Sequence, residues 1–206
     1  MSPSLSVYLL DVAATHALIG CRDDDFLTSL RGGFADDLVR DDQYHRREIE
    51  KGAPTAAEAL RAVVHGGPFS EDREHAFQYG YAYRRLCELS GSFLPNDCFT
   101  PHRGDWLSTV DQGLRTMGVT AVSLDVFDHG APPAPLPYAH TPGCGQWGPE
   151  AITEALRQFE ATRRAADESG PAPSLEPEVV EAVTQCLDWM RRAEARPGHG
   201  IIGFRS

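Results

Sequence analysis

The first apolar run of the chain, Leu5-Ser-Val-Tyr-Leu-Leu-Asp11, is bounded by Ser-Pro on one side and an aspartate on the other. Its length and its Val and Tyr content predict a strand buried on at least one face. Helical spacing then takes over. A helix is expected over about Val12–Ile19 and another over about Asp24–Leu30, with Asp23, Asp24 and Asp25 at the positive end of its dipole and Gly32-Gly33 as its stop. From Phe34 to Lys51 only Phe34, Leu38, Val39 and Ile49 interrupt the charges, which predicts a surface helix with a narrow buried stripe. Thr55-Ala-Ala-Glu58 has the form of a capping box, and the helix it opens carries Leu60, Val63 and Val64 before ending at Gly66-Gly67.

The longest apolar face follows. Ser70 is placed to cap a helix reaching about Leu89, in which Ala76, Phe77, Tyr79, Gly80, Tyr83, Leu86 and Cys87 share one side. A glycine inside a helix costs about 1 kcal/mol against alanine, so Gly80 predicts the close approach of another element. Trp106, Val110, Leu114 and Met117 recur at helical spacing from about Asp105 to Gly118, and Val119–Phe127, β-branched and alternating, reads as a second strand. Six prolines between residues 128 and 149 predict an extended proline-rich loop. Pro149 then starts a helix to about Ala166, residues 168–175 form a linker around Gly170-Pro-Ala-Pro173, and Pro177 opens a last helix with Val179, Val183, Cys186, Leu187 and Met190 inward. Gly200–Phe204 supplies a third, C-terminal strand.

These elements predict an α+β protein, mostly helical, forming a single globular domain over residues 1–206 whose small sheet joins the N-terminal, central and C-terminal strands. Composition changes the picture in three ways. The formal net charge of −11 repels phosphate backbones and anionic membranes, and the doublets Arg46-Arg47, Arg84-Arg85, Arg163-Arg164 and Arg191-Arg192 sit apart among acidic residues, so neither nucleic acid nor membrane is an expected partner. No stretch approaches the ~20 apolar residues of a span, the N-terminal residues lack a signal pattern, and five cysteines at irregular spacing do not form a disulfide framework. The expected location is cytoplasmic. Lys51 is the only lysine beside abundant arginine, alanine and glycine, which points to a GC-rich coding genome.

Candidate chemistry is sparse. Cys98-Phe-Thr-Pro-His102 and His140-Thr-Pro-Gly-Cys144 mirror each other in Pro/Gly loops, and thiolate with imidazole is the ligand chemistry of a tetrahedral zinc site. The competing reading is that they are unrelated loop residues. Asp42-Gln-Tyr-His45 and Asp72-Arg-Glu-His75 repeat a carboxylate–histidine spacing, but without inward-facing glutamates they read as solvated helix faces. Arg103, Asp105 and Trp106 at a loop-to-helix junction, with Trp147 at another, have the make-up of a small pocket in which a guanidinium recognises a carboxylate or phosphate and an indole gives a flat wall; the competing reading is that both tryptophans anchor loops onto the core. Ser92, Ser108 and Cys98 stand in no nucleophile pattern, and there is no phosphate loop. The expectation is a non-enzymatic binding or regulatory domain for a protein or small-molecule partner, needing no cofactor. The rival is a zinc-dependent enzyme, a hydrolase, built on the loops around Cys98 and His140.

The opening Ser-Leu-Ser-Val-Tyr-Leu-Leu-Asp11, the Gly66-Gly-Pro-Phe69 turn, Tyr79-Gly-Tyr-Ala-Tyr83, Arg103-Gly-Asp-Trp-Leu107 and the closing Gly200-Ile-Ile-Gly-Phe204 resemble an actinobacterial family of unknown function, common in streptomycetes. The resemblance spans nearly the whole chain and implies a single cytoplasmic domain.

Overall fold

The computed structural model describes residues 3–169 and 175–206. Among these residues ten α-helices surround one antiparallel sheet of four strands, β1 (Leu5–Asp11), β2 (Ser92–Phe93), β3 (Gly143–Trp147) and β4 (His199–Arg205), in the order β2-β1-β4-β3. The C-terminal strand is thus internal. β4 pairs β1 along seven residues, from Leu5↔Arg205 to Asp11↔His199, and pairs β3 on its other side from Gly143↔Arg205 to Trp147↔Ile201.

Because strand side chains alternate between faces, the sheet divides the core in two. Leu5, Val7 and Leu9 of β1, Trp147 of β3 and Ile201 of β4 face one helical layer, made by α7 (Trp106–Thr116), α9 (Pro149–Ser169) and α10 (Pro177–Glu194). Tyr8, Leu10, Cys144, Ile202 and Phe204 face the other, where α2 (Asp24–Gly33), α5 (Ala56–His65) and α6 (Ala76–Ser90) pack. α1 (Val12–Ala17) follows β1 directly, Asp11 capping it through Oδ1 and the Ala14 N–H (2.9 Å). The capping box of α5 is present: the Thr55 N–H donates to Glu58 Oε2 (2.8 Å) and the Glu58 N–H to Thr55 Oγ1 (3.3 Å).

The segment expected as one surface helix, Phe34–Lys51, is broken at His45 into α3 (Ala35–Tyr44) and α4 (Arg46–Glu50). Arg85 on α6 ties α3 down through Asp41 (3.2 Å) and Asp37 (3.6 Å) while its guanidinium sits 5.2 Å from the centroid of the Phe34 ring, a more enclosed arrangement than a solvated face.

The central strand lies elsewhere than expected. Val119–Phe127 is not a strand: Val119, Val122, Leu124 and Phe127 are buried, but the segment's N–H groups are paired by local turn carbonyls and by side chains, those of Val119 and Phe127 donating to the Leu114 and Leu124 carbonyls (2.9 and 3.0 Å). The Thr120 and Ala121 N–H groups donate to Gln158 Oε1 (2.7 and 3.1 Å) and that of Leu124 to Asp111 Oδ1 (2.8 Å). With those groups paired, no ladder is needed, and the chain turns into α8 (Asp125–His129). The third long strand is β3, inside the stretch expected to be a proline-rich loop. Its glycines hid it. A Cβ on Gly145 would overlap the Val126 carbonyl oxygen, and one on Gly143 would lie 2.6 Å from the Asp128 oxygen, so α8 packs flat on the face of β3 only because glycines stand there. The expected linker at 168–175 falls largely on residues 170–174, outside the described residues; α9 extends to Ser169.

Gly80 is buried on α6, and a Cβ there would lie 2.9 Å from Pro142 Cδ, so the predicted close approach is that of the segment entering β3. Gly80→Leu is therefore expected to destabilise the fold by about 1–3 kcal/mol through overpacking. Chemical denaturation reads this directly, and an unchanged midpoint would mean that the α6–Pro142 contact is not tight.

Candidate functional site

The loop between β2 and α7 is stitched to two elements at once. Asn96 Nδ2 donates to the Leu5 carbonyl and to Thr100 Oγ1 (2.9 Å), the Leu5 N–H donates to Thr100 Oγ1 (3.3 Å), and the His102 N–H donates to the Pro3 carbonyl (3.0 Å). On the α10 side, Trp189 Nε1 donates to the Pro95 carbonyl (2.6 Å) and Gln185 Oε1 accepts from the Cys98 N–H (3.2 Å). Trp106 then closes the loop on itself, its Nε1 donating to the Cys98 carbonyl (2.7 Å). Fixed at both sides, the loop holds open a cleft of about 310 Å³ lined by Cys98, Pro101, His102, Arg103, Trp106 and Glu178.

His102 is the unusual member. It is 8 % exposed, its Nδ1 lies 2.6 Å from the Arg103 carbonyl oxygen, and its Nε2 is buried with no partner. A carbonyl only accepts, so Nδ1 carries a proton. Buried polar atoms are rarely left unpaired in folded proteins. Arg103 and Glu178 line the same cleft, both exposed, and neither makes an ion pair among the described residues. Cys98 also opens onto a second hollow of about 310 Å³ along α10, between Pro95, Val180, Glu181 and Trp189.

Of the residues expected to form a pocket, Arg103 and Trp106 do so together. Asp105 does not line the cleft; it is exposed at the start of α7, its carbonyl accepting from the Thr109 N–H (3.0 Å). Trp147 is buried in the sheet, Nε1 donating to the Ser123 carbonyl (2.8 Å), and serves the core rather than the cleft. Glu178 gave no signal in the sequence, because nothing near it in the chain marks the first turn of α10 as the far wall.

The four expected zinc ligands are not gathered. Cys98 and His102 share the cleft, on the α7–α10 side of the sheet. Cys144 points to the opposite face, among α5, α6 and Phe204, and His140 is exposed, its Nδ1 3.3 Å from the Tyr138 hydroxyl. The sheet itself stands between the two halves of the set. Among the described residues no group of three or more histidine, cysteine or carboxylate side chains is placed to hold a metal ion.

The thiols follow the same division. Burial, with the negative charges of Glu181 and Asp97 behind it, raises the Cys98 pKa; burial alone pushes that of Cys144 up to about 12, and burial first, helped by Cys144 at Cys87 and by Cys98 and Asp111 at Cys186, holds those two thiols well above the usual value. A raised pKa means less thiolate at any given pH, and thiolate is the reactive form. Iodoacetamide at pH 7.5 is therefore expected to modify exposed Cys21 first and Cys98 slowly, faster as pH rises, while the three buried cysteines wait for unfolding. Mass spectrometry of the digests follows each site; Cys144 reacting as fast as Cys98 would contradict the placement of β3.

The two Asp-x-x-His stretches, read from sequence as solvated faces, do meet. His45 and His75 line a cavity of about 420 Å³ with Glu48, Lys51, Asp72 and Phe77. The His45 ring packs 4.6 Å from Phe77 and 5.6 Å from Tyr81, and burial lowers its pKa although Glu48, Asp41 and Asp42 pull the other way. Asp42 is used otherwise, accepting from the Ala56 N–H (2.7 Å) at the start of α5. Ser70 Oγ lies 3.1 Å from His75 Nδ1, yet Asp72 Oδ2 is 3.7 Å from Nε2, too far for the hydrogen bond of a nucleophile relay. Ser70 Oγ also accepts from the Asp72 N–H (3.2 Å), the pattern of a local turn.

No helix among the described residues is long and apolar enough to cross a membrane. The family described as Domain of unknown function (DUF7691) matches residues 1–206. No curated protein and no solved structure matches the chain.

Proposed function

We propose that this chain, which belongs to that family of unknown function, is a non-enzymatic binding domain that takes a small polar molecule in the cleft between the 98–106 loop and α10. The observation that carries the reading is a cleft, held open by a loop bonded on both sides, that offers the charges of Arg103 and Glu178, neither in an ion pair among the described residues. A few convergent polar groups in a concave, largely pre-formed site are the usual make-up of a ligand pocket, and about 310 Å³ sits at the small end of the roughly 300–1,000 Å³ range. The loop's bonds to β1 and α10 mean that little ordering is left for the ligand to drive, which favours affinity.

Five free thiols support a reducing, cytoplasmic setting, and the arginine-rich composition supports a GC-rich, actinobacterial source. The zinc-hydrolase reading draws support only from Cys98 and His102 sharing the cleft.

A thermal-shift screen of polar small molecules on the wild type, Arg103→Gln and Glu178→Gln tests the reading. Both substituted side chains are exposed, so the fold is expected to tolerate them. Compounds that raise the wild-type Tm are expected to lose at least half of that rise in one variant or the other. A screen without stabilising compounds, or with compounds that ignore both substitutions, would end it.

A further inference from the structure

We infer that the ligand of this cleft is a compact zwitterion, an ammonium and a carboxylate on one small frame such as a free α-amino acid; the inference rests on the binding reading above. The cleft carries one cation and one anion that make no ion pair among the described residues, Arg103 and Glu178, which enter from different elements, the loop before α7 and the first turn of α10. A ligand that is only an anion would meet the Glu178 carboxylate, and one that is only a cation would meet the Arg103 guanidinium. A molecule with both charges answers each.

Glu178 sets the direction. An ammonium has three N–H donors and no acceptor, and it suits that exposed carboxylate. The ligand's carboxylate then falls to Arg103, whose planar fork suits a two-oxygen acceptor. The positive end of the α7 dipole lies on the same side, since that helix starts at Trp106 in the cleft wall. Pro101 and the Trp106 indole supply the apolar surface for the remainder of the molecule.

The test uses the full chain and a panel of free α-amino acids, each beside the amine lacking its carboxylate and the acid lacking its amino group, read by thermal shift and calorimetry. At a concentration about 100-fold above Kd, a bound amino acid is expected to raise Tm by roughly 5–10 °C. The single-charge analogues are expected to bind at least tenfold more weakly. Arg103→Gln should bring the amino acid down to the level of its amine, and Glu178→Gln to the level of its acid. An amine or acid that binds as well as the parent amino acid, still sensitive to one of these substitutions, overturns the zwitterion and leaves the binding reading standing. Amino-acid binding indifferent to both substitutions overturns the assignment of this cleft. If neither this panel nor the broader screen stabilises the protein, the binding reading falls and the inference with it.

Discussion

Deletion of residues 200–206 is expected to leave no cooperatively folded protein. β4 is hydrogen-bonded on both sides, to β1 and to β3, and it contributes to both halves of the core: Ile201 to one, Ile202 and Phe204 to the other, each at 1 % exposure or less. At about 1.5–3 kcal/mol per large side chain fully buried, these three alone are worth roughly 5–9 kcal/mol. A domain's whole stability is typically about 5–15 kcal/mol. The truncation also strips β1 and β3 of their shared partner, leaving β1 with only the two-residue contact to β2. Circular dichroism and differential scanning calorimetry should show no sharp transition, and a truncated chain melting at the wild-type temperature would show that β4 is not in the sheet.

The second large effect is expected at Gly145. A Cβ there would run into the Val126 carbonyl, a main-chain atom at the start of α8 that cannot swing aside as a side-chain end would. Gly145→Val must either push α8 off the face of the sheet or unpair β3 from β4, and α8 brings Phe127 into ring contact with Trp147 at 4.9 Å. The expected cost is about 3 kcal/mol or more, at the upper end of overpacking effects. Gly148→Ala is the control, since a Cβ there meets nothing within 4 Å, and its change should stay within about 0.5 kcal/mol. Equal denaturation midpoints for the two variants would remove α8 from its place against β3.

These two sites also show what was legible in the sequence. Leu5–Asp11 and the C-terminal strand were readable because β-branched and aromatic residues sit in short runs between turn residues, and both runs are strands, flanking each other in the sheet. Thr55 and Glu58 were readable because a capping box is a local device, and Gly80 because a glycine in a helix calls for a neighbour. Val119–Phe127 misled since its pattern reports burial, and burial was achieved by a turn whose backbone is paired by Gln158 and Asp111. β3 was hidden because Gly143 and Gly145 are chosen for an approach from outside the strand, which weakens every signal inside it.

The candidate site divides along the same line. Cys98, His102, Arg103 and Trp106 are neighbours in sequence and fold into one wall. Glu178 arrives from α10, and only tertiary packing brings it across. The failure of the four-ligand set has a simple cause: Cys144 lies on a strand, its side chain goes to the face opposite Trp147, and that face looks away from Cys98.

The adjacency of β1 and β4 has a kinetic side. Nearly the whole chain separates Leu9 from its partner Ile201, so the main ladder of the sheet cannot close until almost everything between has been made and brought round. Contacts of such long range slow folding, because the loop must be closed before the pairing repays it. At about 5–20 residues per second, translation alone keeps β1 waiting roughly 10–40 s for β4. Through that interval Leu5, Val7 and Leu9, all buried in the finished fold, lack their partner strand. The nascent chain thus passes that interval with an apolar strand lacking its main partner, the condition under which incompletely folded chains aggregate, and the closing of β4 onto β1 is what ends it.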